Sequence, residues 1–129
     1  MTEEKIAEMV LKIDEKTAQT GLSWEKTTKE NEFQAVLGRW VVRIREDYLP
    51  QDDANDYTLS ITDYNGTQLE SLTDSDLVGI FKRVSNTLGR NAYQTMRNIY
   101  KNAKRQAMGV DQAVDEILSE LNSQNPPSS

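Results

Sequence analysis

The chain has 129 residues, a net charge of −6, and neither cysteine nor histidine. Its length suits one domain, and the missing residue types exclude disulfides, thiolate metal sites, a cysteine nucleophile and the commonest general base. No apolar run approaches the roughly 18 residues that cross a bilayer, and the N-terminus is acidic, so we expect a cytoplasmic protein with no membrane association.

Residues 2–20 are predicted to form an amphipathic helix. Thr2 is placed to cap it, and Glu3 and Glu4 fall in the first turn, where the helix dipole favours negative charge. Gly21 is placed to end it. Apolar positions at steps of three and four form one stripe, made of Ile6, Met9, Val10, Ile13 and Thr17. Such a stripe usually packs on a sheet, although one that binds a partner has the same pattern.

The period changes to two after the helix, and residues 32–45 are predicted to form a β-hairpin. Gly38-Arg39 fits a two-residue type II′ turn, which sets the register of the two strands. In that register one face is wholly apolar, and the other is mostly polar with an opposite-charge pair. The predicted pairs are Leu37 with Trp40, Ala35 with Val42, Phe33 with Ile44, Gln34 with Arg43, and Glu32 with Arg45.

Residues 47–56 are acidic and contain a proline, which predicts a solvated surface loop. A calcium site is the alternative, because carboxylates cluster in this segment. The aspartates lack the alternating spacing and the distal glutamate of an EF-hand loop, so we expect no metal here.

A second hairpin is predicted over residues 57–72. Tyr64-Asn65-Gly66 can form a three-residue loop in which Gly66 is the left-handed residue. We expect Ile61 to face Leu69, since a two-residue loop would place Glu70 opposite Ile61. Together the two hairpins predict a four-stranded antiparallel meander with one apolar face.

Residues 77–110 contain no acidic residue and seven basic ones, which are Lys82, Arg83, Arg90, Arg97, Lys101, Lys104 and Arg105. Thr73 is placed as an N-cap with Asp76 three positions later. The apolar stripe before Gly89, which ends at Leu88, is rotated by roughly 90° from the stripe after it. A single straight helix would also be longer than a compact domain of this length, so we predict a break near Gly89 and a new cap at Asn91.

Asp111 is placed to cap a last helix that carries four acids and no base, and whose apolar positions are Val114, Ile117, Leu118 and Leu121. Residues 123–129 are predicted to be a disordered tail. The predicted fold is therefore a single α+β domain over residues 1–122. It has an N-terminal helix, a four-stranded antiparallel meander, and C-terminal helices packed on one sheet face.

The C-terminal pattern resembles that of small bacterial α+β proteins with no assigned activity. The residues that carry the likeness are Lys104 through the Gly109-Val110-Asp111 helix junction, then Ala113, residues 115–118 and Leu121. Trp24-Glu25-Lys26-Thr27, residues 33–36 and the second hairpin look like the middle of the same group. The resemblance covers most of the chain and implies the fold and a bacterial origin, without any chemistry.

No catalytic constellation is recognisable in the sequence. A Ser-His-Asp triad is impossible without histidine, the glycines form no phosphate-binding loop, and the many acids make a carboxylate pair unspecific. We therefore predict a non-catalytic protein-interaction or adaptor domain without cofactor.

The basic segment leaves three readings open. In the first, it is the solvated face of a packed helix and is partly neutralised by the acidic last helix. In the second, it binds an acidic protein partner or a second copy of the chain. In the third, it binds nucleic acid. The candidate binding residues are Arg90, Arg97, Lys101 and Lys104. For the nucleic-acid alternative, residues 82–105 also offer Tyr93 and Tyr100, whereas the net negative charge opposes a polyanion.

Overall fold

A five-stranded antiparallel sheet in simple meander order forms the base of the fold. The computed structural model describes residues 2–84, 87 and 89–124. In chain order the elements are α1 (Glu3–Ala18), β1 (Trp24–Lys26), β2 (Glu32–Leu37), β3 (Trp40–Leu49), β4 (Ala54–Asp63), β5 (Gln68–Thr73), α2 (Asp74–Arg83), α3 (Ala92–Ala107) and α4 (Val110–Ser123). The α+β class is confirmed. The sheet has five strands instead of four, because β1 is added at its edge.

The first hairpin has the predicted register. All five predicted pairs of β2 and β3 occur, and the turn residue Gly38 has a φ of +62°, as a type II′ turn requires at its first position. Phe33 and Ile44 therefore point into the core, while Gln34 and Arg43 point to the outer face. The strand pairs were predictable because turn chemistry and side-chain pairing agree.

The prediction of a loop over residues 47–56 was wrong in its extent. β3 continues to Leu49 and β4 begins at Ala54, so the connection shrinks to a short turn that starts at Pro50. Asp47 stands opposite Asp56 in this extended ladder. Arg45 forms an ion pair with Asp47 at 2.8 Å, which offsets the cost of placing two carboxylates across from each other.

The second hairpin has the predicted three-residue loop but a different register beyond it. The Gly66 N–H donates to the Asp63 carbonyl, and Gly66 has a φ of +84°. Thr62 pairs with Gln68, and Ile61 pairs with Glu70 and not with Leu69. The register shift between Ile61 and Thr62 makes Leu69 an extra residue, and its side chain is 54% exposed.

Helices α1, α2 and α3 form one apolar core with the inner face of the sheet. The predicted stripe of α1 is confirmed, since four of its members are buried and Met9 packs at the edge of the core. The Thr17 hydroxyl donates to the Ile13 carbonyl at 2.6 Å and accepts from the Trp24 indole N–H at 3.1 Å. This pair ties the end of α1 to the first strand.

The predicted break near Gly89 is confirmed, since α2 ends at Arg83 and α3 begins at Ala92. Asn91 caps α3 by accepting the Gln94 N–H at 2.8 Å, and Gly89 has a φ of +80°. Thr73 and Asp76 form the predicted capping box at the start of α2. Leu88, which was predicted to end the stripe of α2, lies outside the described residues.

Helix α4 departs from the predicted packing. α2 and α3 cover the sheet as expected, but α4 has no buried residue and its main contact is with α3. It follows α3 after a two-residue joint in which Gly109 has a φ of +68°. Ser123 belongs to α4, and residues 125–129 of the predicted tail lie outside the described residues.

Candidate functional site

Three of the four predicted binding residues share one cleft. Arg97, Lys101 and Lys104 line a cavity of about 540 Å³ together with Arg105. Arg90 is not part of it. Arg90 lies before the start of α3 near Asp14 of α1, where burial raises the pKa of the Asp14 carboxyl and the charge of Arg90 partly lowers it. The basic segment therefore splits into two places on the surface.

The aromatic residues expected beside the basic cleft belong to the core. The ring of Tyr57 packs against Tyr93 and Tyr100, with centroids 5.5 and 5.6 Å apart, and Tyr100 is only 4% exposed. The Tyr57 hydroxyl donates to Glu46 Oε2 at 2.7 Å. Burial, followed by this hydrogen bond, raises the pKa of Tyr57 far above its ordinary value. An acidic side chain thus lines the basic cleft, and no nucleobase could stack on the buried Tyr100.

The acidic helix α4 neutralises little of the basic segment. Among the described residues, the ion pair that joins the two is Arg105 with Asp111, at 2.9 Å, and both side chains are more than half exposed. Arg83 pairs instead with Glu3 of α1, at 2.8 Å. An exposed pair of this kind contributes little to stability, because solvent screens it. The predicted pairing between the two segments is therefore confined to the helix junction.

The outer face of the sheet is polar, and its side chains bond to one another. The Gln34 amide donates to Glu25 Oε1 at 2.9 Å, and the Arg43 guanidinium donates to Gln34 Oε1 and to Thr62 Oγ1 at 3.1 and 3.0 Å. These bonds join the polar side chains of β1 to β4 into one network across the face.

The exposed stripe of α4 is a more conspicuous feature. Its four apolar residues are all exposed: Val114 45%, Ile117 57%, Leu118 51% and Leu121 57%. At 3.6 residues per turn they lie on one side of the helix, with acids on both flanks and Ser119 at the back. Contiguous exposed apolar patches on otherwise polar proteins usually mark a binding surface.

A second uncovered apolar surface lies where the helix layer stops short of the turn end of the first hairpin. We call it the α1 groove. It has a volume of about 980 Å³, and its walls come from α1, the segment after α1, and the inner sheet face. Its apolar lining is Met9, Ile13, Leu22, Leu37, Trp40, Val42, Ile61 and Leu69. Lys12, Lys16, Gln19 and Glu70 supply its polar rim.

An acidic pair lies at the opposite end of the sheet. Asp56 shares a hydrogen bond with Asp74, and this bond, with burial and the nearby negative charges, raises the pKa of Asp56 to about 6. Asp74 Oδ1 also accepts the Tyr57 N–H at 3.2 Å. Across the described part of the chain, no group of three or more acidic residues is placed to hold a metal.

No protein-family model, curated protein or solved structure gives a significant match to this chain. In the part of the chain that the structure describes, no helix is both long enough and apolar enough to cross a membrane.

Sequence reasoning missed the α1 groove and the exposure of the α4 stripe. The stripe itself was recognised, but its period gives no sign of whether it meets the same chain or another one. The groove depends on which corner of the sheet remains uncovered and on the bulge that exposes Leu69. Neither feature leaves a signal in the local pattern.

Proposed function

We propose that the protein is a non-catalytic protein-interaction or adaptor module that binds its partner through α4. The observation that carries the proposal is the stripe of four apolar side chains on a helix with no buried residue. Burying one such side chain fully is worth about 1.5–3 kcal/mol, so covering the stripe provides a substantial driving force for association.

The length of α4 supports the same conclusion. An isolated helix of 14 residues is marginal in water, and most helices in proteins are stabilised by packing of their apolar side. A partner seated on the stripe would supply this packing. Helix-in-groove recognition uses apolar positions with the spacing of Val114, Ile117, Leu118 and Leu121.

The setting we propose is the bacterial cytoplasm. The absence of cysteine from the sequence fits a reducing compartment, and the resemblance of the Gly109-Val110-Asp111 junction to small bacterial proteins supports the origin. The absence of histidine and cysteine supports a role without catalysis or a cofactor.

Affinity capture with a stripe variant tests the proposed function. Ile117→Ser/Leu121→Ser removes apolar surface from α4, and Gln112→Ser/Ser119→Ala alters its opposite side as a matched control. We expect mass spectrometry to show a partner that is retained by the wild type and the control but lost by the stripe variant. Identical retention by all three proteins would refute a role for α4.

Nucleic-acid binding is the second candidate, and the observation that favours it is the gathering of Arg97, Lys101, Lys104 and Arg105 around one cleft. The burial of Tyr100, the presence of Glu46 and the net charge of −6 weigh against it. A polyanion would have to be held by phosphate contacts alone, so its binding would weaken steeply with salt.

A mobility-shift assay separates this candidate from the first. Arg97→Glu/Lys101→Glu/Lys104→Glu should abolish any shift, whereas Lys5→Glu/Lys26→Glu/Lys29→Glu, with the same net charge, should not. Because Arg90 lies outside the cleft, Arg90→Glu should have little effect. If the wild type gives no mobility shift at low salt, nucleic-acid binding is refuted.

A further inference from the structure

We infer that the partner of α4 is a second copy of this chain, with α4 of one copy seated in the α1 groove of the other. This inference rests on the proposed function, since it names the occupant of the same stripe. The described part of the chain presents a convex and a concave apolar surface that are both uncovered. The convex one is the α4 stripe, and the concave one is the α1 groove between α1 and the sheet.

The two surfaces are complementary in charge. The α1 side of the groove carries Lys12 and Lys16, both exposed, whereas α4 carries Asp111, Asp115, Glu116 and Glu120 and no base. Because the acids flank the apolar stripe on both sides, a helix seated in the groove directs at least one acidic flank towards the two lysines. Glu70 on the sheet side opposes the second flank, so α1 is the preferred side for the acids.

The two surfaces also match in length. The wall of the groove formed by α1 and its C-cap runs from Met9 to Gln19, which is about 15 Å at 1.5 Å per residue. The stripe from Val114 to Leu121 spans about 10 Å by the same measure. The groove is therefore long enough for the whole stripe.

The same chain does not cover its own groove. Val110, at the start of α4, lines the basic cleft with Glu46 and Asn55, whereas Trp40 lines the groove at the other end of β3. Trp40 and Glu46 are six positions apart on the strand, which is about 20 Å. A second copy can bring the stripe to the groove, and reciprocal exchange of α4 closes the pair as a symmetric dimer.

Cross-linking between two copies tests the contact directly. Because the chain has no cysteine, introduced cysteines report only on the chosen positions. Differently tagged Leu118→Cys and Leu69→Cys chains are mixed and treated with a short bismaleimide. We expect strong linking between the two tags. Ser119→Cys, at the back of α4, replaces Leu118→Cys in the control mixture and should link weakly.

Sedimentation equilibrium with charge variants supplies a second measurement. We expect the wild type to exceed the mass of one chain at concentrations up to about 1 mM, which reveals even weak association. Lys12→Glu/Lys16→Glu should weaken association about tenfold. Lys26→Glu/Lys29→Glu, with the same charge, should not. Adding Asp115→Lys/Glu120→Lys, one acid from each flank of the stripe, to the first variant should restore association.

The possible outcomes separate this inference from the proposed function. A single-chain mass at every concentration, with Leu118→Cys linking no better than Ser119→Cys, overturns the inference. Linking within one chain that carries both Leu118→Cys and Leu69→Cys also overturns it, because α4 then covers its own groove. If the measured mass is that of one chain but the Ile117→Ser/Leu121→Ser variant still fails to retain a captured protein, the proposed function holds and this inference does not. If neither self-association nor capture depends on the stripe, both fall.

Discussion

Thr17 holds the end of α1 to the sheet through a buried side-chain contact. Its hydroxyl is a donor to Ile13 and an acceptor for the indole N–H of Trp24, and Thr17 is 1% exposed. Thr17→Val preserves the shape but leaves the buried indole N–H without an acceptor. We expect a loss of about 1–3 kcal/mol in the free energy of unfolding, measured by urea denaturation.

Thr95 provides the matched control for this substitution. It is also buried in a helix and its hydroxyl also donates to the carbonyl four residues earlier, that of Asn91, at 2.8 Å. No side chain depends on it as an acceptor among the hydrogen bonds of the described residues. Thr95→Val should therefore cost clearly less than Thr17→Val, and equal losses would show that the Trp24 bond contributes nothing of its own.

The Asp56–Asp74 pair makes stability depend on pH. The pKa of Asp56 is raised from 3.8 to about 6 in the folded protein, so the folded state holds its proton more tightly than the unfolded chain. The stabilising contribution is complete below pH 3.8 and is lost as the pH rises through 6. Because the pair is partly exposed and solvent screens it, we expect the change to be about 1 kcal/mol.

Asp56→Asn removes this dependence, because an amide can donate to Asp74 at every pH. The variant should be more stable than the wild type above pH 6, and the difference should vanish towards pH 4. Denaturation midpoints between pH 4 and pH 8 measure it. Asp52→Asn in the exposed turn removes the same charge, so an equal gain there would assign the effect to net charge instead of the pair.

At the scale of elements, the sequence was most informative where two local signals agreed. Gly38-Arg39 specified the turn, and the same register placed Glu32 opposite Arg45, so all five predicted strand pairs occur. Arg45 forms its ion pair with Asp47 on its own strand. The helix break had similar support, from the rotation of the stripe and from the cap at Asn91. Such features are fixed by residues close in sequence.

The elements that were mispredicted depend on distant partners. β1 has three residues, which is too short to show a period, and it forms because β2 offers a free edge. The pattern placed Leu69 inside because it is apolar, whereas the register shift puts Glu70 opposite Ile61. Leu69, as the extra residue, lines the α1 groove. The wrong prediction of its strand partner therefore affected both the register and the description of this part of the site.

At the scale of the whole molecule, the opposition of charges takes a different form from the one predicted. The expected match between the basic segment and the acidic last helix is reduced to Arg105 and Asp111. In the dimer that we infer, the acids of α4 face Lys12 and Lys16 of the other copy, which line the α1 groove. The basic cleft around Lys101 remains a separate surface on the other end of the sheet.

Removal of α4 tests whether the rest of the chain is a complete folding unit. The core joins the sheet to α1, α2 and α3, and α4 contributes no buried residue to it. Of the described residues, truncation after Val110 removes only exposed side chains and the surface pair with Arg105, so we expect the free energy of unfolding to change by no more than about 1 kcal/mol. The measurement must be made on dilute protein, since self-association adds stability through mass action.

A core substitution sets the scale for this truncation. Leu77 is fully buried in α2, and Leu77→Ala should cost about 2–5 kcal/mol through lost burial and a cavity. A truncated chain destabilised as much as Leu77→Ala would mean that α4 packs against its own chain in solution. If another molecule covers the apolar stripe of α4, the truncated chain should be as stable as the full chain at low concentration. The full chain should then gain stability as its concentration rises, and the truncated chain should not.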